Sequence, residues 1–218
     1  MLTSAITAWI RRNFAQDYGE GEGRIQANNR GDLLVAQALP PKSDLARLGN
    51  TWVTAIDTAD AFTYVAGWPT TRAELVLFNN EPAGGKSYLL DAAFLYGVTS
   101  QAAAQPATLA GQLVAPGVAA PTDNTSLLIT SRSGKPNYGG KARKAIANTA
   151  FAVANRWEVL GSVQSPMTTN LGAALYVELL GGFIVPPQGA FCLAGIAGTA
   201  AGTAICGAVW HEVQTSLS

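Results

Sequence analysis

From Asn50 onward, glycine and proline divide the chain into apolar segments of strand length. Residues 51–56, 72–78 and 86–96 are three such segments, with turn-forming residues between them. No stretch in this region carries a long helical period. Short strands at this spacing predict a mainly β protein, a two-sheet antiparallel β-sandwich.

Further strands are predicted along the rest of this region. The segments are residues 61–66, 126–131, one or two strands within 145–163, and residues 173–180. The last two, residues 190–196 and 203–213, are predicted to pair as a hairpin through residues 198–202.

The first 49 residues differ in character from the rest and are predicted to form an N-terminal arm. An amphipathic helix is predicted over residues 5–14, because four apolar residues recur there at helical spacing: Ile6, Trp9, Ile10 and Phe14. Residues 18–24 are rich in glycine and are predicted to be neither helix nor strand. We therefore divide the chain into an extended arm, residues 1–49, and a β-sandwich domain, residues 50–218. The four apolar residues are expected to contact a partner protein, which would order the arm.

Charged residues make up only 13% of the chain, about half the usual share. A low charged share predicts that part of the surface is covered by other subunits, and a monomer with a polar uncharged surface is the alternative. The long uncharged C-terminal region favours a homotrimer. The 14 basic and 14 acidic residues cancel, so no net field favours nucleic acid or an anionic membrane as a partner.

Residues 179–210 carry no charge and are long enough for a membrane helix. Pro186, Pro187 and several glycines interrupt them, so strands are favoured and no membrane partner is predicted. Cys192 and Cys206 lie in this region. Buried free thiols are the first interpretation, and a bridge between neighbouring strands is the second.

Residues 80–87 nearly match a phosphate-binding loop. Asn80 replaces the first glycine, and Pro82 removes one backbone N–H from the cradle. The segment that follows reads as a strand, whereas such a loop needs a helix there. A hairpin turn is predicted, with Lys86 exposed at the strand end.

His211 is the single histidine, so a catalytic triad or a zinc site would have to include it. Strand alternation places it opposite Trp210, and it is predicted to be a surface or interface residue. We predict that the protein is not an enzyme, with no catalytic residue, no cofactor and no metal.

A basic loop lies between Asp123 and Glu158, where no acidic residue occurs. Its five basic residues are Arg132, Lys135, Lys141, Arg143 and Lys144. A docking loop for an acidic patch on a partner protein is the functional interpretation, and a solvated loop is the alternative. Only Tyr138 could stack on a base, which disfavours nucleic acid.

Several stretches together resemble virion proteins of tailed bacteriophages. They are residues 31–41, 46–49, 69–71, 77–88, 184–187 and 208–213. The resemblance is to jelly-roll proteins that decorate or cement phage heads, and it covers most of the chain from Gly31 onward.

This resemblance implies that the β-sandwich of residues 50–218 is a jelly roll. It also implies a homotrimer on the surface of the phage particle, made in the host cytoplasm, without a cofactor. The implied partner is the major capsid protein or another virion protein. The long arm leaves a second possibility, a receptor-binding protein of the fibre type on the head or tail. An unrecognised enzyme, for example a hydrolase embedded in the virion, is a third.

Overall fold

The computed structural model describes residues 7–10, 21–24, 49–99, 105–135, 137–151, 156–165, 174–198 and 202–214. Within these ranges the chain forms thirteen strands and two short 3-10 helices, at Thr58–Asp60 and Thr149–Phe151. The strands are β1 (Thr7–Ile10), β2 (Gly21–Arg24), β3 (Thr51–Ala55), β4 (Phe62–Thr63), β5 (Ala73–Asn79), β6 (Ser87–Gly97), β7 (Gln105–Val114), β8 (Ile129–Ser131), β9 (Ala142–Asn148), β10 (Glu158–Ser165), β11 (Ala174–Val185), β12 (Ala190–Ala197) and β13 (Thr203–Val213).

Two antiparallel sheets form the sandwich. One has the strand order β10-β7-β12-β5-β9, and the other has the order β11-β6-β13-β3-β8, with β4 also paired to β13. Eight of these strands, β3, β5, β6, β7, β10, β11, β12 and β13, reproduce the order of a jelly roll. The first lies beside the last and the second beside the seventh, which makes two interleaved Greek keys. The predicted fold class is confirmed.

Strands β8 and β9 are additions to this eight-stranded core. They lie between its fourth and fifth strands in sequence, and each extends one sheet: β8 pairs with β3, and β9 pairs with β5. One side of the sandwich is therefore bordered by this added pair. The other side is bordered by β10 and β11.

The predicted hairpin of the last two strands is wrong. β12 pairs with β5 and β7, whereas β13 pairs with β3 and β6 in the other sheet. The same holds for residues 80–86, which connect β5 in one sheet to β6 in the other. In both cases a glycine-containing connection between two apolar strand segments satisfies the hairpin pattern. The choice of sheet depends on strands far away in sequence.

The predicted arm helix is also wrong where the structure describes it. Thr7–Ile10 is a strand, and it pairs antiparallel with Gly21–Arg24, a segment predicted to lack regular structure. The pairing gives both segments backbone hydrogen-bond partners, which helical spacing of side chains cannot reveal. Trp9 and Ile10 thus lie on β1, whereas Ile6 and Phe14 lie outside the described residues.

The main core fills the space between the sheets. Its largest fully buried side chains include Trp210, Tyr64, Tyr88 and Leu75. A second apolar cluster covers the outer face of the five-stranded sheet, where Phe78 meets Phe151 of the second 3-10 helix at 6.1 Å between ring centres. Because β5 and β12 are covered on both faces, their sequences are almost continuously apolar.

Both cysteines are buried and free, which confirms the first interpretation. Cys192 belongs to the outer cluster and Cys206 to the main core. Burial raises the pKa of each thiol well above its ordinary value. The thiols therefore pack as small apolar groups.

Glu74 is a buried acid on β5, with only 2% of its surface exposed. Its Oε1 accepts a hydrogen bond from Arg72 Nε at 2.9 Å. Burial raises the pKa of Glu74 above its ordinary value of 4.5, and the Arg72 guanidinium opposes this only in part. The folded state therefore favours the neutral form of this carboxyl group.

We expect this group to make stability fall as pH rises. Its contribution is fully present below about pH 4.5 and is lost as the pH rises through the raised pKa. Glu74→Gln removes the titration with little change in size. The free energy of unfolding in urea, wild type minus Glu74→Gln, should decrease across this pH window and stay level above it. Parallel pH profiles for the two proteins would contradict this assignment.

Candidate interaction surfaces

The basic loop joins β8 to β9 and is anchored by Tyr138. The Tyr138 ring meets the edge of Trp52 at 4.8 Å and that of Trp210 at 6.3 Å between ring centres. Its hydroxyl donates a hydrogen bond to Glu212 Oε1 at 2.5 Å and accepts one from the Ala142 N–H at 3.0 Å. The loop is thus fastened over one end of the main core.

Charges around this anchor are paired. Glu212 is 4% exposed, and its second carboxylate oxygen lies 3.4 Å from Lys86 Nζ. Burial raises the pKa of Tyr138 far above its ordinary value, and the neighbouring Tyr88 and Glu212 add to the shift. Tyr138 therefore stays protonated and remains a donor to Glu212. Lys86, predicted to be freely exposed, is half-buried in this cluster.

The five basic residues of the loop region fall into two groups. Arg132, Lys135 and Lys141 are exposed. Lys135 Nζ lies 5.7 Å from the ring centre of Trp52, and Arg132 Nη2 lies 3.4 Å from Tyr176 Oη. These three side chains are available on the surface of the sandwich, as the docking hypothesis requires.

Lys144 and Arg143 serve the fold instead. Lys144 is buried, donates from Nζ to the Leu127 carbonyl at 2.8 Å, and lies 3.6 Å from Asp123 Oδ1. Arg143 is half-buried and donates to the Pro121 carbonyl at 3.2 Å. The assignment of Lys144 to an exposed docking surface is corrected, because strand alternation on β9 turns its side chain inward.

A second surface lies along β10 and β11, which no sequence pattern singled out. These are the outermost strands of the two sheets on the side away from β8 and β9, and neither pairs with a further strand in the described part of the chain. Three large apolar side chains are exposed on them: Val159 at 57%, Tyr176 at 52% and Leu180 at 67%. We call these two strands the open edge.

Leu180 sits in an irregular part of β11. The pairing of β11 with β6 shifts between Glu178 and Phe183, so that four residues of β11 stand opposite Asp91 alone. Leu180 has φ +50° and Gly181 has φ +79°. A leucine at positive φ is uncommon and raises the free energy of the folded state. The backbone is therefore strained at the point where it projects an apolar side chain into solvent.

His211 is buried within the chain, so the predicted surface or interface position is wrong. Its Nδ1 lies 2.8 Å from Thr51 Oγ1, and its Nε2 lies 3.9 Å from Asp91 Oδ2. Hydroxyl, imidazole and carboxylate also make up an acyl-transfer triad, but Thr51 is only 2% exposed and offers no access to a substrate. The three residues lie on β3, β13 and β6, which are neighbours, so this polar bridge joins the centre of one sheet.

The described residues do not form an accessible cluster of catalytic or metal-binding side chains. No group of three or more metal-binding side chains occurs within those ranges. A shallow depression beside β3 is lined by Val53, Ala55 and Leu128, with Asp57 as its single carboxylate. The Ala59 N–H lowers the pKa of Asp57, so this acid is not poised to transfer protons near neutral pH.

The loop that resembles a phosphate cradle leads into a strand, β6, as the sequence predicted. Asn79 connects the two ends of the loop by donating to the Lys86 carbonyl at 2.8 Å, and it also donates to the Val185 carbonyl at the end of β11 at 3.1 Å. No helix terminus faces the loop in the described structure. Across the same described ranges, no helix is long and apolar enough to cross a membrane.

Comparisons with known proteins gave two virus structures. A chain of "Structure of a marine algae virus of the order Picornavirales" is 9% identical, with 99% of this chain and 91% of that chain covered and a TM-score of 0.22. A chain of "Israeli acute paralysis virus heated to 63 degree - full particle" is 11% identical, with 99% and 82% covered and a TM-score of 0.19. No family model and no curated protein matches. The jelly-roll assignment rests on the strand order and not on these superpositions.

Proposed function

We propose that this chain is a structural protein of a virus particle, and specifically that it decorates or cements the head of a tailed bacteriophage by bridging major capsid subunits. The open edge is the observation that carries the proposal. A long edge strand with exposed apolar side chains is a liability for a free monomer, and it suits a protein that works by contact.

The sequence supports the same proposal in two ways. The stretches that resemble phage virion proteins lie largely in the jelly-roll domain, and the low charged share predicts covered surfaces. Cementing a shell requires several modest contacts per copy, because bridging neighbouring subunits resists their separation. A homotrimer multiplies such contacts through avidity.

Within this proposal each surface has a distinct role. The arm, through Ile6, Trp9, Ile10 and Phe14, contacts the capsid. The exposed part of the basic loop contacts an acidic surface of a partner protein. No catalytic step is required, and none of the polar clusters among the described residues presents converging titratable groups in an open cleft.

Deletion of residues 1–49 tests the role of the arm. We expect the truncated protein to keep β-type circular dichroism and its oligomeric state, because the sandwich has its own core. It should fail to join phage particles, whereas the tagged full-length chain should be found on them by electron microscopy. Absence of the full-length chain from purified particles would refute the virion assignment. Undiminished incorporation of the truncated chain would remove the arm as the anchor.

A receptor-binding protein of the fibre type is the second candidate. The exposed Tyr96, at 43%, and Tyr176 are the observation in its favour, because aromatic side chains on a jelly-roll face can stack on sugars. The same micrographs separate the two candidates. A decoration protein follows the head lattice, whereas a receptor-binding protein projects from fibres or the tail and binds host cells when purified.

A further inference from the structure

We propose that the open edge of one copy binds the basic loop of a second copy, so that copies join head to tail. This inference rests on the proposed function and names the partner of the basic loop. It joins two surfaces that lie at different borders of the sandwich, one formed by β10 and β11 and the other by the connection between β8 and β9.

Charge complementarity identifies the occupant. Glu158 and Glu178 are the sole charged residues of β10 and β11, and both are exposed. The part of the basic loop between β8 and β9, residues 132–141, carries three of its five basic residues and no acidic residue. Arg132 already contacts Tyr176 of its own chain. Lys135 and Lys141 are the other two basic residues of this segment, and we assign them to Glu158 and Glu178 of the next copy.

The apolar side chains of the open edge fit the same contact. Val159 and Leu180 are exposed on adjoining border strands, one in each sheet. They supply apolar area at the centre of a contact whose rim is formed by the two glutamates. Edge strands of free monomers are commonly protected by lysine, proline or a covering segment. Neither β10 nor β11 contains a lysine or a proline.

The symmetry of such a contact follows from the two different surfaces. A contact between unlike patches is heterologous, and copies joined this way either close into a ring or continue as a filament. A ring of three agrees with the homotrimer expected from the sequence. Every copy in the ring uses both of its surfaces, so no open edge stays exposed.

Charge reversal in the full-length chain tests the inference. One variant carries Glu158→Lys and Glu178→Lys, and a second carries Lys135→Glu and Lys141→Glu. Like charges then face each other, and we expect the dissociation constant for self-association to rise about tenfold or more in each, measured by sedimentation. The variant with all four changes restores opposite charges and should return to the mass of the wild type, three times 22.6 kDa.

Circular dichroism and thermal unfolding confirm that each variant is folded. Wild-type mass in both double variants would overturn the inference. It would also be overturned if the variant with all four changes is folded but does not reassociate. Incorporation into phage particles is measured separately. If the chain joins particles but its self-association is unchanged by charge reversal, the proposed function stands and this interface is refuted. If the variant with all four changes self-associates again but the chain does not join particles, this interface is supported and the proposed function is refuted.

Leu180→Asn provides an uncharged test of the same surface. Asparagine tolerates positive φ better than leucine, so the variant should unfold at the same or a higher temperature. It also removes the exposed apolar side chain, so self-association should weaken by several fold. Unchanged self-association in the folded variant would exclude Leu180 from the interface.

Discussion

Replacing Gly140 with alanine should lower the free energy of unfolding by about 2 kcal/mol and the melting temperature by about 4–8 °C. A methyl group at this position would overlap the Tyr138 hydroxyl and lie 2.5 Å from Glu212 Oε1. Tyr138 cannot move aside, because its ring is held by Trp52 and Trp210 and its hydroxyl bonds both Glu212 and a backbone N–H.

Gly139→Ala is the matched control for this experiment. A methyl group at Gly139 meets nothing within 4 Å, and neither glycine has a positive φ, so the two variants differ only in steric contact. We expect Gly139→Ala to melt close to the wild type. Equal melting temperatures for the two variants would show that Tyr138 is not fastened in this way.

Lys144→Met should cost about 1–3 kcal/mol in the free energy of unfolding. The substitution keeps the length of the side chain and removes the donor to the buried Leu127 carbonyl and the ion pair with Asp123. The carbonyl would then remain desolvated without this partner, which is the main source of the cost.

Lys141→Met is the control, because Lys141 is exposed and a change at such a site is worth no more than about 0.5 kcal/mol. Both variants are unfolded in urea at a protein concentration low enough that sedimentation shows monomers. Self-association then does not contribute to the measured stability. A similar loss of stability in both would mean that the buried position of Lys144 has no energetic consequence.

The helix in the arm and the surface position of His211 are two predictions from the sequence that were wrong. Helical spacing of four apolar residues predicted a helix, yet Thr7–Ile10 pairs as a strand with Gly21–Arg24. Alternation correctly separated His211 from Trp210 but could not show that the far side of that strand is also covered. Exposure of a strand face depends on what packs over it, and that information lies elsewhere in the chain.

The candidate surfaces were predictable in part. The run of basic residues without an acid is a local feature, and three of its five members are exposed as the docking hypothesis requires. The open edge was not predicted, because the pattern of apolar residues along a strand shows which side chains face the core and does not show which strands pair with it. The conformation of Leu180 could not be predicted from the sequence either, since its positive φ and the bulge around it arise only from the pairing of β11 with β6.

The sequence alone determined that the domain is a β-sandwich and where most of its strands lie. Alternation, apolar runs and glycine or proline breaks are properties of a few neighbouring residues, so β5, β6, β12 and β13 were located to within one or two positions. Only the tertiary structure decided which sheet each strand joins, which charges are buried, and which edge stays open. Those outcomes depend on pairing between segments more than a hundred residues apart, such as β3 with β13, and no local pattern specifies such a partner.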